Sequence, residues 1–124
     1  MPSVEEMRAT VAKYVEMVGS GDTEGIVALY RADATVEDPA GTPPRNGSAE
    51  IREFYKILEP LEKQTTLVTS RIAGNTAAFL FTLVTKAGEN EMELSPIDVM
   101  EFDDEGKIVS MKAYWSQADL TLRA

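Results

Sequence analysis

The sequence predicts an α+β fold, three helices followed by an antiparallel sheet, on three observations. Apolar residues recur every three or four positions in three separate stretches of the first half. From about Leu67 onward the period changes to two. Turns rich in Gly, Asn and Asp then divide the second half at short intervals. Helices first and consecutive strands afterwards is the order of an α+β domain, whose sheet can curl around the helices and leave a pocket between the layers.

Each element has its own signal. Ser3 and Glu6 stand at capping-box spacing, and Met7, Val11, Tyr14, Val15 and Val18 then form one apolar stripe. Gly19-Ser20-Gly21 ends this first helix. Asp22 caps a short second helix with Ile26, Val27, Leu29 and Tyr30 on its buried side, so the two helices form a hairpin. Ala34 to Asp38 reads as a strand stopped by Pro39, and Ala40 to Gly47, with two Gly and two Pro, reads as loop. Ser48 is the expected cap of a third helix, in which Ile51, Phe54, Tyr55 and Leu58 share a face and which Pro60 ends. The expected strands are Leu67–Ile72, Ala77–Thr85, Met92–Phe102 and Lys107–Trp115, with turns at Gly74-Asn75, Gly88-Glu89-Asn90 and Asp103 to Gly106.

The chain has 124 residues, which suits one domain over residues 1–124 with a real core and one ligand pocket. It contains no histidine and no cysteine, which excludes disulfides, thiolate nucleophiles, Ser–His–Asp relays and metal sites built on those ligands. Any proton chemistry falls to carboxylates, tyrosines or lysines. The formal charge of −9 repels phosphate backbones and anionic membranes, so neither nucleic acid nor a membrane surface is an expected partner. No apolar run approaches the roughly 20 residues of a membrane span, and residues 1–20 lack the plan of a signal peptide, so a cytoplasmic protein is expected.

Two of the carboxylates stand out. Asp98 alternates with Met92, Leu94, Pro96, Met100 and Phe102 on the more apolar side of its strand, where ionisation is expensive. Either it remains protonated there, or it pairs with a cation or is rotated outward by a bulge. Asp38 shares a face with Val36 at a strand end; it is either a turn-initiating Asp before Pro39 or an ionised carboxylate projecting over a pocket. Tyr14, Tyr30 and Tyr55 lie on inward helix faces, as core tyrosines or as a chain of hydrogen-bonded phenols. Trp115, on a face with Met111 and Ala113, and Phe79, Phe81 and Leu83 are core residues or pocket lining. Asp103, Asp104 and Glu105 lack the spaced ligands of a calcium loop and read as a solvated turn.

The chain resembles ketosteroid isomerase, a family of the nuclear transport factor two-like superfamily. The resemblance runs in order through Lys13-Tyr14-Val15, Gly21-Asp22 to Ile26-Val27, Ala34 to Pro39, Ile51 to Phe54-Tyr55, Ile97 to Met100, and Phe102-Asp103 to Trp115-Ser116. It implies a conical α+β barrel, a homodimer, and cofactor-free conversion of neutral delta-5-3-ketosteroids to their delta-4 isomers. It implies Asp38 as general base, Tyr14 and a protonated Asp98 as oxyanion donors, and Tyr30 and Tyr55 as the supporting network. Trp115, Phe54, Phe81, Met111, Leu94 and Val18 are the expected substrate-binding residues, and no metal is expected. The segment Leu58–Val68 matches no motif and is expected to form a pocket wall.

The chemistry agrees with the residues. Moving a double bond into conjugation with a carbonyl needs a proton removed beside the carbonyl and returned two carbons away, while the enolate oxygen is stabilised. A site without histidine can use an ionised Asp as the shuttle. Two other readings of the sequence remain: a carrier of hydrophobic ketones without catalysis, and a hydrolase or cyclase of the limonene epoxide hydrolase kind. The last needs Arg beside the carboxylates, and Arg8, Arg31 and Arg71 show no pairing with Asp38 or Asp98 in the sequence.

Overall fold

The computed structural model describes residues 1–124. Helix α1 (Val4–Ser20) begins at the expected capping box: Ser3 Oγ accepts from the Glu6 amide at 3.0 Å, and Glu6 Oε1 accepts from the Ser3 amide at 2.8 Å. It ends at Gly21, whose φ of 74° is the left-handed geometry that glycine adopts without strain. Helix α2 (Thr23–Leu29) starts on Asp22, whose Oδ1 accepts from the Gly25 amide at 3.0 Å. Tyr30 does not lie on this helix. Its extended backbone opens strand β1 (Tyr30–Glu37), where it pairs with Ile108, and its burial comes from the sheet.

The loop after β1 contains a two-residue strand, β2 (Arg45–Asn46), antiparallel to β1. Helix α3 (Gly47–Leu58) is therefore entered from Asn46 and not capped by Ser48; Glu50 Oε1 reaches back to the Asn46 amide at 2.8 Å. Strands β3 (Lys63–Ala73) and β4 (Thr76–Ala87) form a long hairpin. The expected strand Met92–Phe102 is broken at Ser95-Pro96 into β5 (Asn90–Leu94) and β6 (Ile97–Phe102). Pro96 has no amide to give to a ladder, and the two halves pair with successive parts of β4. Strand β7 (Ile108–Tyr114) follows the acidic turn, and a short β8 (Leu120–Arg123), whose alternation of Leu and polar residues runs for only four positions, pairs with β5.

The eight-stranded sheet runs β2-β1-β7-β6-β4-β5-β8, with β3 on the other side of β4. The expected α+β cone of three helices and a curved sheet is what the chain forms. Every junction is antiparallel except β1 with β7, the pairing that joins the helical half to the end of the chain. Register shifts between Leu67 and Thr69 and between Glu101 and Phe102 mark bulges, which bend the sheet over the helices. Met7 and Val11 of α1, Ile26 of α2 and Ile51 of α3 meet Phe79, Met100, Phe102 and Ile108 in a core closed to solvent. Each such side chain contributes on the order of 1.5–3 kcal/mol of burial free energy. That core closes the narrow end of the cone and leaves the other end open as a cavity.

Candidate active site

The sheet register brings the two unusual carboxylates together. Glu37 of β1 aligns with Lys112 of β7, so Asp38, one residue on, falls beside Ala113. The Ala40 amide donates to the Ala113 carbonyl at 2.7 Å and fixes that alignment past the end of β1. Ala113 in turn pairs with Asp98 of β6, and Asp98 with Phe79 of β4. Alternation turns Asp38 inward with Val36 while Glu37 faces out to Lys112 at 3.6 Å. Asp38 and Asp98 thus stand two strands apart, about 10 Å between backbones, with the small side chain of Ala113 between them.

Both line one cavity of about 200 Å³. Its other walls are Tyr14 and Val18 from α1, Phe54, Tyr55 and Leu58 from α3, Phe81 and Leu83 from β4, Leu94 and Pro96 around the β5–β6 break, and Ala113 and Trp115 from the end of β7. Of the eleven expected site residues, nine border this space. Tyr30 stands behind it, buried, with its ring against that of Tyr55 at 6.3 Å between centroids and its hydroxyl bonded to the Tyr55 hydroxyl. Met111 does not border it: one step deeper along β7 than Ala113, it lies between Val36 and Met100 and fills the core at 1% exposure. Of the segment Leu58–Val68, expected as a wall, Leu58 alone contributes.

The two carboxyls sit in unlike surroundings. Asp38 is half-buried, and its Oδ1 accepts a hydrogen bond from Trp115 Nε1 at 2.7 Å. Burial pushes its pKa up, while the Trp115 bond and the charge of Arg45 pull the other way. Asp98 is 2% exposed, and its Oδ1 has no hydrogen-bond partner. Burial first, and the charge of Asp38 second, hold its carboxyl well above the usual carboxylate range, which favours the neutral form. The sequence left open a salt bridge or an outward turn for Asp98; neither occurs, since it faces the interior and takes part in none of the ion pairs.

The three tyrosines form one chain. Tyr55 Oη lies 2.9 Å from Tyr14 Oη and 2.9 Å from Tyr30 Oη, so three buried hydroxyls are linked in series. Edge-on aromatic contacts of Tyr14 with Tyr55 and with Phe79, at 6.2 and 6.0 Å between centroids, fix the ring that reaches the cavity. Burial pushes all three phenols well above 10, which keeps them neutral donors. A ligand oxygen in this cavity would meet a phenol from α1 and a carboxylic acid from β6, with an ionisable carboxylate beyond Ala113. No three acidic side chains are arranged to hold a metal ion.

Comparison with known proteins assigns the lineage. Residues 11–111 match the model of the SnoaL-like domain. Over 117 residues the chain is 42% identical to a steroid Delta-isomerase of Nocardioides simplex, covering 94% of this chain and 95% of that one. The chain belongs to the steroid Delta-isomerase family. The family's cone also carries other activities: a solved epoxide hydrolase/cyclase-like enzyme, SalBIII, described in pyran ring formation in polyether salinomycin, superposes with a TM-score of 0.89. It shares 26% identity over 97% of this chain and 98% of its own. Fold alone therefore does not select a reaction within these relatives, and the site must.

The sequence left Leu83 open between core and pocket lining and did not mark Ala113 or Arg45, for identifiable reasons. Leu83 and Ala113 lie on the faces of Phe81 and Trp115, so the period-two pattern already held them, yet it could not separate core from cavity. Arg45, beside Asp38, had no signal in a loop rich in Gly and Pro.

Proposed function

We propose that this enzyme moves the double bond of a delta-5-3-ketosteroid into conjugation with the 3-ketone, giving the delta-4 isomer. The relationship to a steroid Delta-isomerase supports isomerase activity on steroids. The observation that carries the finer reading is the contrast between two carboxyls in one apolar cavity: Asp38 held by Trp115 at 2.7 Å, and Asp98 buried with an oxygen free of partners. A flat, neutral, apolar substrate suits the aromatic walls and the absence of any lining cation.

In this mechanism the ionised Asp38 takes a proton from carbon 4 and returns it to carbon 6, without a cofactor. Negative charge develops on the 3-oxygen as the proton leaves. Tyr14 and neutral Asp98 donate to that oxygen, and Tyr55 and Tyr30 support the Tyr14 hydroxyl through their shared bonds. Charge thus never builds up uncompensated in a dry cavity. Ketosteroid isomerases are themselves the standard illustration of a carboxylic acid kept neutral by an apolar site, and the same rule applies here: environment, not residue type, assigns the acid and the base.

The test is a spectroscopic one: the protein mixed with 5-androstene-3,17-dione should generate the ultraviolet absorbance of the conjugated enone, and the Asp38→Asn variant should not at a comparable rate. A protein that binds a phenolic steroid tightly and produces no enone would instead be a carrier. The hydrolase or cyclase reading has less support: Arg8 bonds Ser70, Arg31 pairs with Asp33 and Arg71 bonds Thr69, while Arg45, the arginine that does lie beside Asp38, donates to its backbone carbonyl and not to its carboxylate. The same proposal takes the whole chain as one domain acting in the cytoplasm as a homodimer. No helix is long and apolar enough to cross a membrane, and the cross-strand pair Ile97 and Tyr114, each 49% exposed, offers an apolar patch for a second copy.

A further inference from the structure

The geometry points to Arg45 as a positioning residue that ties the base Asp38 to the cavity wall Phe54 and lends the base a neighbouring positive charge without capping it; this rests on the isomerase reading. Arg45 occupies β2 opposite Val36, which puts its side chain alongside the end of β1. Its Nη1 donates to the backbone carbonyl of Asp38 at 3.5 Å, and its guanidinium carbon lies 4.4 Å from the centroid of the Phe54 ring. Phe54 lines the cavity and packs edge-on against Tyr55, at 5.0 Å, whose hydroxyl holds that of Tyr14. One guanidinium therefore touches both the peptide that carries the base and the wall that leads to the oxyanion donors.

The point of attachment matters. Arg45 takes part in none of the ion pairs, whereas Arg31, Arg52 and Arg123 do. A bidentate bridge to the Asp38 carboxylate would stabilise the ionised form so far that it could not accept a proton. A cation bound to the backbone oxygen and to an aromatic face leaves the carboxylate oxygens to Trp115 and to substrate. The other groups around the base are the carboxyl of Asp98 from β6, the phenols of Tyr14 from α1, Tyr30 from β1 and Tyr55 from α3, and the Trp115 indole. From the outer side of α3, Glu50 and Glu53 share a surface hollow with Arg45, and Glu50 is engaged by the Asn46 amide. Among all of these, Arg45 is the group that carries positive charge.

The test compares Arg45→Met, which keeps apolar cover on Phe54 without charge, with Arg45→Lys, which keeps charge without the planar stack. For Arg45→Met the acidic limb of the kcat/KM profile should move to higher pH, so that activity falls about two- to tenfold at about pH 5 and less at about pH 8. Arg45→Lys should leave the limb near that of the unsubstituted enzyme and raise KM through a looser Phe54 wall. A ¹³C NMR titration of the Asp38 carboxyl in the same proteins reads the shift without turnover, and Arg45→Gln replaces Arg45→Met if the latter does not fold. An unmoved limb together with an unmoved carboxyl titration overturns the proposal for Arg45 alone. If the unsubstituted protein forms no enone, the isomerase reading fails, while the NMR titration still decides whether Arg45 acts on Asp38.

Discussion

The end of β1 and the middle of β6 each carry an aspartate into the same cavity, two strands apart, and the fold treats them in opposite ways. At the strand end the backbone leaves the sheet at Pro39, so Asp38 keeps partial access to water, an indole donor at 2.7 Å and a guanidinium nearby. In mid-strand, Asp98 is walled in by Phe79 and Ala113 and finds no donor at all. Identical side chains thus differ through position in a ladder: a terminus supplies solvent and loop donors, whereas an interior strand supplies only desolvation. On that difference rests the proposed assignment of Asp38 as base and Asp98 as acid.

The comparison is broken most forcefully at Asp38, the proposed base. Asp38→Asn removes the proton acceptor and should lower kcat by roughly 10²–10⁴ in the enone assay, with the circular dichroism spectrum unchanged. Tyr14→Phe removes one donor to the oxygen and should cost about 10²–10³ in kcat. At position 98 two substitutions sharpen the contrast between charge and donation. Asp98→Leu should approach the Tyr14→Phe loss, whereas Asp98→Asn retains an N–H to donate and should lose no more than about tenfold. Equal losses for the two variants would mean that donation from this position is not what the reaction uses. Tyr30→Phe, at the far end of the phenol chain, should have the smallest kinetic effect, about two- to tenfold, the value of one remote hydrogen bond.

Stability should show the same asymmetry. The folded protein raises the pKa of Asp98 above its unfolded value, so the native state holds a proton that the unfolded chain has released. The stabilisation tied to that proton is complete below the unfolded pKa, about 4, and is lost as pH rises from there toward the folded value. Asp98→Asn removes this loss. Its urea midpoint should gain on that of the unsubstituted protein as pH is raised from about 4 to about 8, by up to about 1.4 kcal/mol per pH unit within the window. Parallel pH profiles for the two proteins would show that Asp98 ionises as readily folded as unfolded.

Much of this site could be read from the chain because it rests on alternation. The inward set Asp98, Met100 and Phe102, and the stripe from Met7 through Tyr14 to Val18, follow directly from periods of 2 and 3.6. What could not be read depends on contacts between distant residues. Tyr30 is buried by a parallel partner on β7, far along the chain, and not by its own helix. Met111 and Ala113 share a face, and only the depth of the cone decides that one fills the core and the other opens onto the cavity. The break at Pro96 had a local signal in its missing amide, but an otherwise regular alternation from Met92 to Phe102 masked it. Arg45 gains its role from two residues of pairing with β1 inside a segment whose composition says only loop.

The most direct test reads the proton itself. Infrared difference spectroscopy at neutral pH, comparing the protein with Asp98→Asn and with Asp38→Asn, should lose a protonated-carboxyl C=O band in the first variant and a carboxylate band in the second. Loss of a carboxylate band on substituting Asp98 would contradict the account, because an acid already ionised there could neither donate to the steroid oxygen nor stand apart from Asp38.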